Sequence, residues 1–180
     1  DELRAVFVAR GRELSAILDR IRSTEFGKVP QHLLITGYRG MGKTTLLRRI
    51  ALAVADEPEL DSEWIALTFP EEQYTVSTLA ELWMNVLDAL ADTLEREGAP
   101  SDALARLDGD VQALLALDIG EREAAALELL QSWITEHQRR VLLLIDRSDL
   151  LFSVLGRGGA KRGKIGSDGG ATPLWRLRKT

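Results

Sequence analysis

The stretch Gly37-Tyr38-Arg39-Gly40-Met41-Gly42-Lys43-Thr44 constrains this chain more than any other, because it matches G-x-x-x-x-G-K-[ST] at every fixed position. Glycines at this density let the backbone turn tightly, and such a turn must be anchored at both ends. Upstream, His32-Leu33-Leu34-Ile35-Thr36 is a short apolar run leading into glycine, which predicts a buried parallel strand. Downstream, Thr44–Ala55 sets Leu46, Leu47, Ile50, Ala51 and Val54 on one face of a helix, and Pro58 lies just past its end. The expected local fold is strand, glycine turn, helix.

That context gives the motif its chemistry. Successive N–H groups of the turn point inward and suit the oxygens of a β-phosphate. The helix that follows adds the positive end of its dipole. A lysine at position 43 reaches the β- and γ-phosphates and stabilises transferring charge, while the Thr44 hydroxyl is a ligand for Mg²⁺. The nucleotide-binding set is therefore Gly37, Tyr38, Arg39, Gly40, Met41, Gly42, Lys43, Thr44 and Thr45. Arg39 offers a further cation to phosphate or to a neighbouring subunit, or else is a plain surface residue.

The rest of the chain supports one α/β domain. Leu14, Ile17, Leu18 and Ile21 make an amphipathic stripe over 12–21. Residues 63–69, Glu-Trp-Ile-Ala-Leu-Thr-Phe, read as a second strand stopped by Pro70. Thr78-Leu79-Ala80-Glu81 has the form of a capping box. It opens a helix with Leu79, Leu82, Val86, Leu90 and Leu94 inward, closed by Gly98. Residues 101–118 form a weaker helical stretch interrupted at Gly109. Asp118 then caps a helix to about His137, with Leu127, Leu130 and Ile134 inward. Val141-Leu142-Leu143-Leu144-Ile145 is a third buried strand. Strands alternating with helices predict a parallel sheet covered on both faces.

Trp64, Trp83 and Trp133 take core positions, and Trp175 beside Arg176 reads as packing. His32 and His137 lack metal-ligand spacing. A chain of 180 residues, 45% hydrophobic and 28% charged, has enough apolar material for a core. No apolar run approaches the ~20 residues that cross a membrane. There is no cysteine, which fits a reducing cytoplasm. The start at Asp1, with no methionine and no apolar signal core, reads as an internal cut of a longer protein.

Asp146 ends the third apolar strand, where a carboxylate can hold Mg²⁺ opposite Thr44. The next residue is Arg147, which cannot act as a base. Three readings of water activation stay open. Asp149 supplies a carboxylate from the following turn, or Glu71 or Glu72 does so from beyond the second strand, or hydrolysis is slow and the nucleotide serves as a switch.

These segments resemble the additional-strand P-loop ATPases of the AAA+ and STAND type. Phe7-Val8-Ala9-Arg10-Gly11-Arg12-Glu13-Leu14 is similar to their F-x-G-R-E-x-E-L lead-in, with Ala9 where they usually have glycine. Gly37–Leu47 is similar to their GxRGxGKTxLL loop, and Leu144–Leu151 to LLIDxxDxLL. The resemblance covers about residues 5–155. It implies that Phe7, Val8 and Arg10 lie against an adenine, and that a glutamate is common where Arg147 stands. It further implies a strand order of 5-1-4-3-2, so that a strand following Asp146 in sequence would enter between the first and third. This chain offers no such segment, and the fold is expected to be an incomplete P-loop NTPase domain lacking its last strands and lid.

The domain layout is then a partial nucleotide-binding domain over 1–155, a glycine-rich basic flexible loop over 156–172, and the start of a helix over 173–180. Residues 157–180 carry seven Lys or Arg against Asp168, a local +6, which leaves −11 for the rest of a chain whose net charge is −5. An acidic body argues against a broad nucleic-acid surface. The expected function is that of an Mg-ATP-binding ATPase domain, a hydrolase acting as a switch or motor within a larger cytoplasmic protein. Two alternatives are a regulatory nucleotide module with little turnover and a DNA-associated ATPase of the initiator or transposition-helper kind. Candidate partners are the nucleotide, other domains of the same longer chain, further copies of the chain, and DNA through the basic tail, with no membrane.

Overall fold

The computed structural model describes residues 10–27, 32–69 and 76–146. Helix α1 is Gly11–Arg22, α2 is Lys43–Asp56 and α3 is Pro58–Glu63. Strand β1 follows at Trp64–Thr68, then α4 at Leu79–Arg96, α5 at Ser101–Leu115, α6 at Ile119–His137 and β2 at Arg140–Leu144.

β1 and β2 pair in parallel, with Trp64 opposite Arg140 and Thr68 opposite Leu144. Parallel neighbours need a long crossover, here supplied by α4, α5 and α6. Alternation along the strands feeds two cores. Trp64, Ala66, Leu142 and Leu144 face α1, α2 and α3, where Leu18, Ile21, Leu46, Ile50 and Val54 are buried. Ile65, Leu67, Val141 and Leu143 face the crossover helices, where Val86, Leu87, Leu90, Ala126, Leu130 and Trp133 are buried. The molecule is α/β, a small parallel sheet with helices on both faces, as the alternation of periods predicts.

Local chemistry explains the elements. The expected capping box is present. Thr78 Oγ1 accepts from Glu81 N at 3.2 Å, and the Glu81 carboxylate accepts from Thr78 N at 3.3 Å and Ser77 N at 2.6 Å. Trp64, Trp83 and Trp133 are all buried. At the start of the sheet, Arg139 donates to Trp64 O at 3.0 Å and pairs with Glu97 at 2.8 Å. The Arg140 guanidinium lies 4.3 Å from the Trp64 ring centroid and bonds Glu63 and Thr24 O.

Three expectations are corrected. Glu63, read as the first residue of the second strand, closes α3 instead; Pro58 lies just past α2 as expected and also opens α3, where its missing N–H costs nothing in the first turn. Gly109 does not interrupt α5, because Leu107, Val111 and Leu114 on either side of it are anchored in the core. Residues 32–36, expected as a buried strand, form no ladder with any described strand. Leu33 is 50% and Leu34 75% exposed, while Ile35 packs beside α2. A strand is fixed by its hydrogen-bonded neighbour, and among the described residues nothing pairs with this run.

Candidate nucleotide site

The glycine loop folds as its composition demands. Gly40 and Gly42 take φ of 82° and 72°, left-handed values that a side chain makes costly. A Cβ at either would meet no atom within 4 Å, so conformation and not space demands glycine there. Gly42 is the N-cap of α2 and makes no side-chain cap, and the first turn of α2 holds no acidic residue. The positive end of α2 therefore opens onto the loop, with first-turn N–H groups that have no partner inside the helix.

The loop is also cross-tied. Lys43 Nζ donates to Gly37 O at 2.8 Å and Tyr38 O at 3.0 Å, which lays the ammonium across the turn. Met41 N donates to Tyr38 O at 3.3 Å, and Tyr38 N donates to the Met41 sulfur at 3.2 Å. The thioether contact was not legible beforehand, since x positions of the motif carry no fixed chemistry. Tyr38 is 86% exposed and its ring touches no core. Arg39 is exposed as well, and Thr45 is half-buried in the first turn of α2.

Asp146 lies two residues beyond β2, and its carboxylate accepts a hydrogen bond from Thr44 Oγ1. Strand and loop, far apart in sequence, thus deliver a hydroxyl and a carboxylate to one place. That pair of hard oxygen donors suits Mg²⁺, which keeps several waters and takes few protein ligands. Among the described residues no group of three or more His, Cys, Asp or Glu gathers elsewhere.

Arg10 is the third part of the arrangement. Its φ of 66° is left-handed, a conformation costing a residue with a Cβ about 1 kcal/mol. Its Nη2 lies 3.7 Å from where a Cβ on Gly37 would stand. Asp149, Arg147, Glu71, Glu72, Phe7 and Val8 lie outside the described residues, as do the 156–172 loop, the 173–180 segment and Trp175.

A model of the family described as AAA ATPase domain matches residues 6–154. The chain belongs to that family. No curated protein and no solved structure matches it. The matched span takes in the loop, all the described helices and both strands, so this AAA ATPase domain is a nucleotide-binding ATPase domain with its signature loop at the start of α2. No helix among its described residues is long and apolar enough to cross a membrane.

Proposed function

We propose that this domain binds Mg-ATP at Gly37–Thr45, hydrolyses it to ADP within a longer protein, and uses the cycle as a conformational switch or motor of the STAND kind. The hydrogen bond from Thr44 to Asp146 carries the reading, because it joins the motif's hydroxyl to the strand-end carboxylate. In this reading Lys43, already held over the loop, balances charge on the β- and γ-phosphates. Thr44 and Asp146 hold Mg²⁺, which supplies charge neutralisation when bound. The N–H groups from Gly40 to Thr45 receive phosphate oxygens. Cytoplasmic residence belongs to the same proposal and is supported by a sequence without cysteine.

Titration calorimetry tests it. The intact protein takes up ATP in the presence of Mg²⁺, and Lys43→Ala abolishes or weakens that uptake by a hundredfold or so. Undiminished binding by Lys43→Ala would sink the assignment.

Arg147 favours a second reading, a regulatory module with little turnover, because it stands where related ATPases commonly carry a glutamate. Under it Arg147→Glu raises steady-state hydrolysis, and Asp149→Asn leaves the rate unchanged. If Asp149→Asn instead abolishes a measurable turnover, Asp149 is the carboxylate that activates water and the switch-only reading falls.

A further inference from the structure

Arg10 combines observations that the lead-in resemblance does not account for. It holds the left-handed N-cap position of α1 yet makes no side-chain cap bond, so capping does not explain its conformation. No ion pair among the described residues includes it. Its guanidinium instead approaches Gly37, with Nη2 3.7 Å from the Cβ position of that glycine. Gly37 is also the residue whose carbonyl receives the Lys43 ammonium at 2.8 Å. Two cations therefore lie beside one residue of the loop, and like charges held near each other favour an anionic ligand.

The position along a bound nucleotide follows from Lys43. A lysine of this motif reaches the β- and γ-phosphates, so the Gly37 end of the loop marks the terminal-phosphate end of the ligand. A guanidinium at that end is distant from the base. It presents planar paired donors that suit phosphate oxygens, and it stays charged at every physiological pH.

We propose that Arg10 recognises the terminal phosphate of a bound nucleoside triphosphate and sets the preference of the domain for triphosphate over diphosphate. The left-handed turn into α1 is retained because it aims this side chain at the loop. The inference rests on the reading of Gly37–Thr45 as the nucleotide site, and it moves Arg10 from the base, where the resemblance put it, to the far end of the ligand.

Arg10→Gly is the informative variant, since glycine adopts a φ of 66° freely and the guanidinium is removed without adding strain. Calorimetry on the intact protein compares Mg-ATP with Mg-ADP for the wild type, Arg10→Gly and Arg10→Lys. Arg10→Gly is expected to lose tenfold or more in ATP affinity, keep ADP affinity within about twofold, and melt no lower than the wild type. Arg10→Lys is expected to recover part of the ATP preference. An equal loss for both nucleotides returns Arg10 to the base and overturns the inference, as does no loss for either. If the wild type binds neither nucleotide, the reading of the loop itself has failed, and this one goes with it; Lys43→Ala losing both while Arg10→Gly loses only ATP keeps the two claims apart.

Discussion

Thr44 and Asp146, 102 positions apart, are joined by a hydrogen bond from the threonine hydroxyl to the carboxylate. The bond ties the first turn of α2 to the end of β2. Asp146→Asn keeps the shape and removes the charge. The proposed Mg²⁺ site then predicts that the gain in ATP affinity on adding Mg²⁺ falls by tenfold or more, about 1.4 kcal/mol per factor of ten. Binding measured with and without Mg²⁺ checks this. Thr44→Ala combined with Asp146→Asn should cost less than the two single losses summed, because both act through one ion.

The capping box makes the fold acid-sensitive. Glu81 is held below its ordinary value of 4.5, first by the N–H of Ser77, then by the Ser77 hydroxyl and the N–H of Thr78. A depressed carboxylate contributes stability that is complete above its unfolded value and is lost as pH falls through the folded one. The expected loss therefore lies below pH 4.5. Glu81→Gln keeps a capping acceptor and flattens that part of the curve in thermal melts, while Thr78→Ala costs about 1 kcal/mol at neutral pH.

Asp88 has the opposite sign. Partial burial on α4 raises its carboxyl above the ordinary 3.8, and Asp92 and Asp108 push it in the same direction. Its charge is a liability to the fold at neutral pH. Asp88→Asn should raise the unfolding free energy slightly, by under ~1 kcal/mol given its exposed edge. The gain should vanish once pH falls beneath 3.8, where both states are protonated; a gain that persisted there would point to packing and not to charge.

Leucine truncations should separate the core from residues 32–36. Leu90 is fully buried among α4 neighbours and the sheet, so Leu90→Ala costs about 2–5 kcal/mol in denaturant unfolding. Leu34 is 75% exposed, so Leu34→Ala stays within ~0.5 kcal/mol. A large loss at Leu34 would show that a partner covers it in solution.

Much of this was legible because the signals were local. Period-3.6 stripes marked α1, α2, α4 and α6, and Thr78 with Glu81 marked an N-terminus by chemistry that needs nothing distant. Glu63 misled because it directly precedes an apolar run, whereas it closes the short helix that Pro58 opens. Residues 32–36 misled because an apolar run states a preference for burial without supplying the neighbour that satisfies it. In the site, the motif residues and Asp146 could be named from spacing. The approach of Arg10 to Gly37 could not, since it depends on a left-handed turn that an arginine does not advertise.

The ladder between β1 and β2 has a mechanical consequence. Among the described residues it is the hydrogen-bonded seam between the helices around the loop and the three crossover helices behind it. Under the proposed nucleotide switch, a displacement of Asp146 would be passed along β2 to the crossover helices that pack on Val141 and Leu143. In that proposal, a substitution that weakens the ladder and not the loop is expected to uncouple the helices from the ligand while leaving uptake intact.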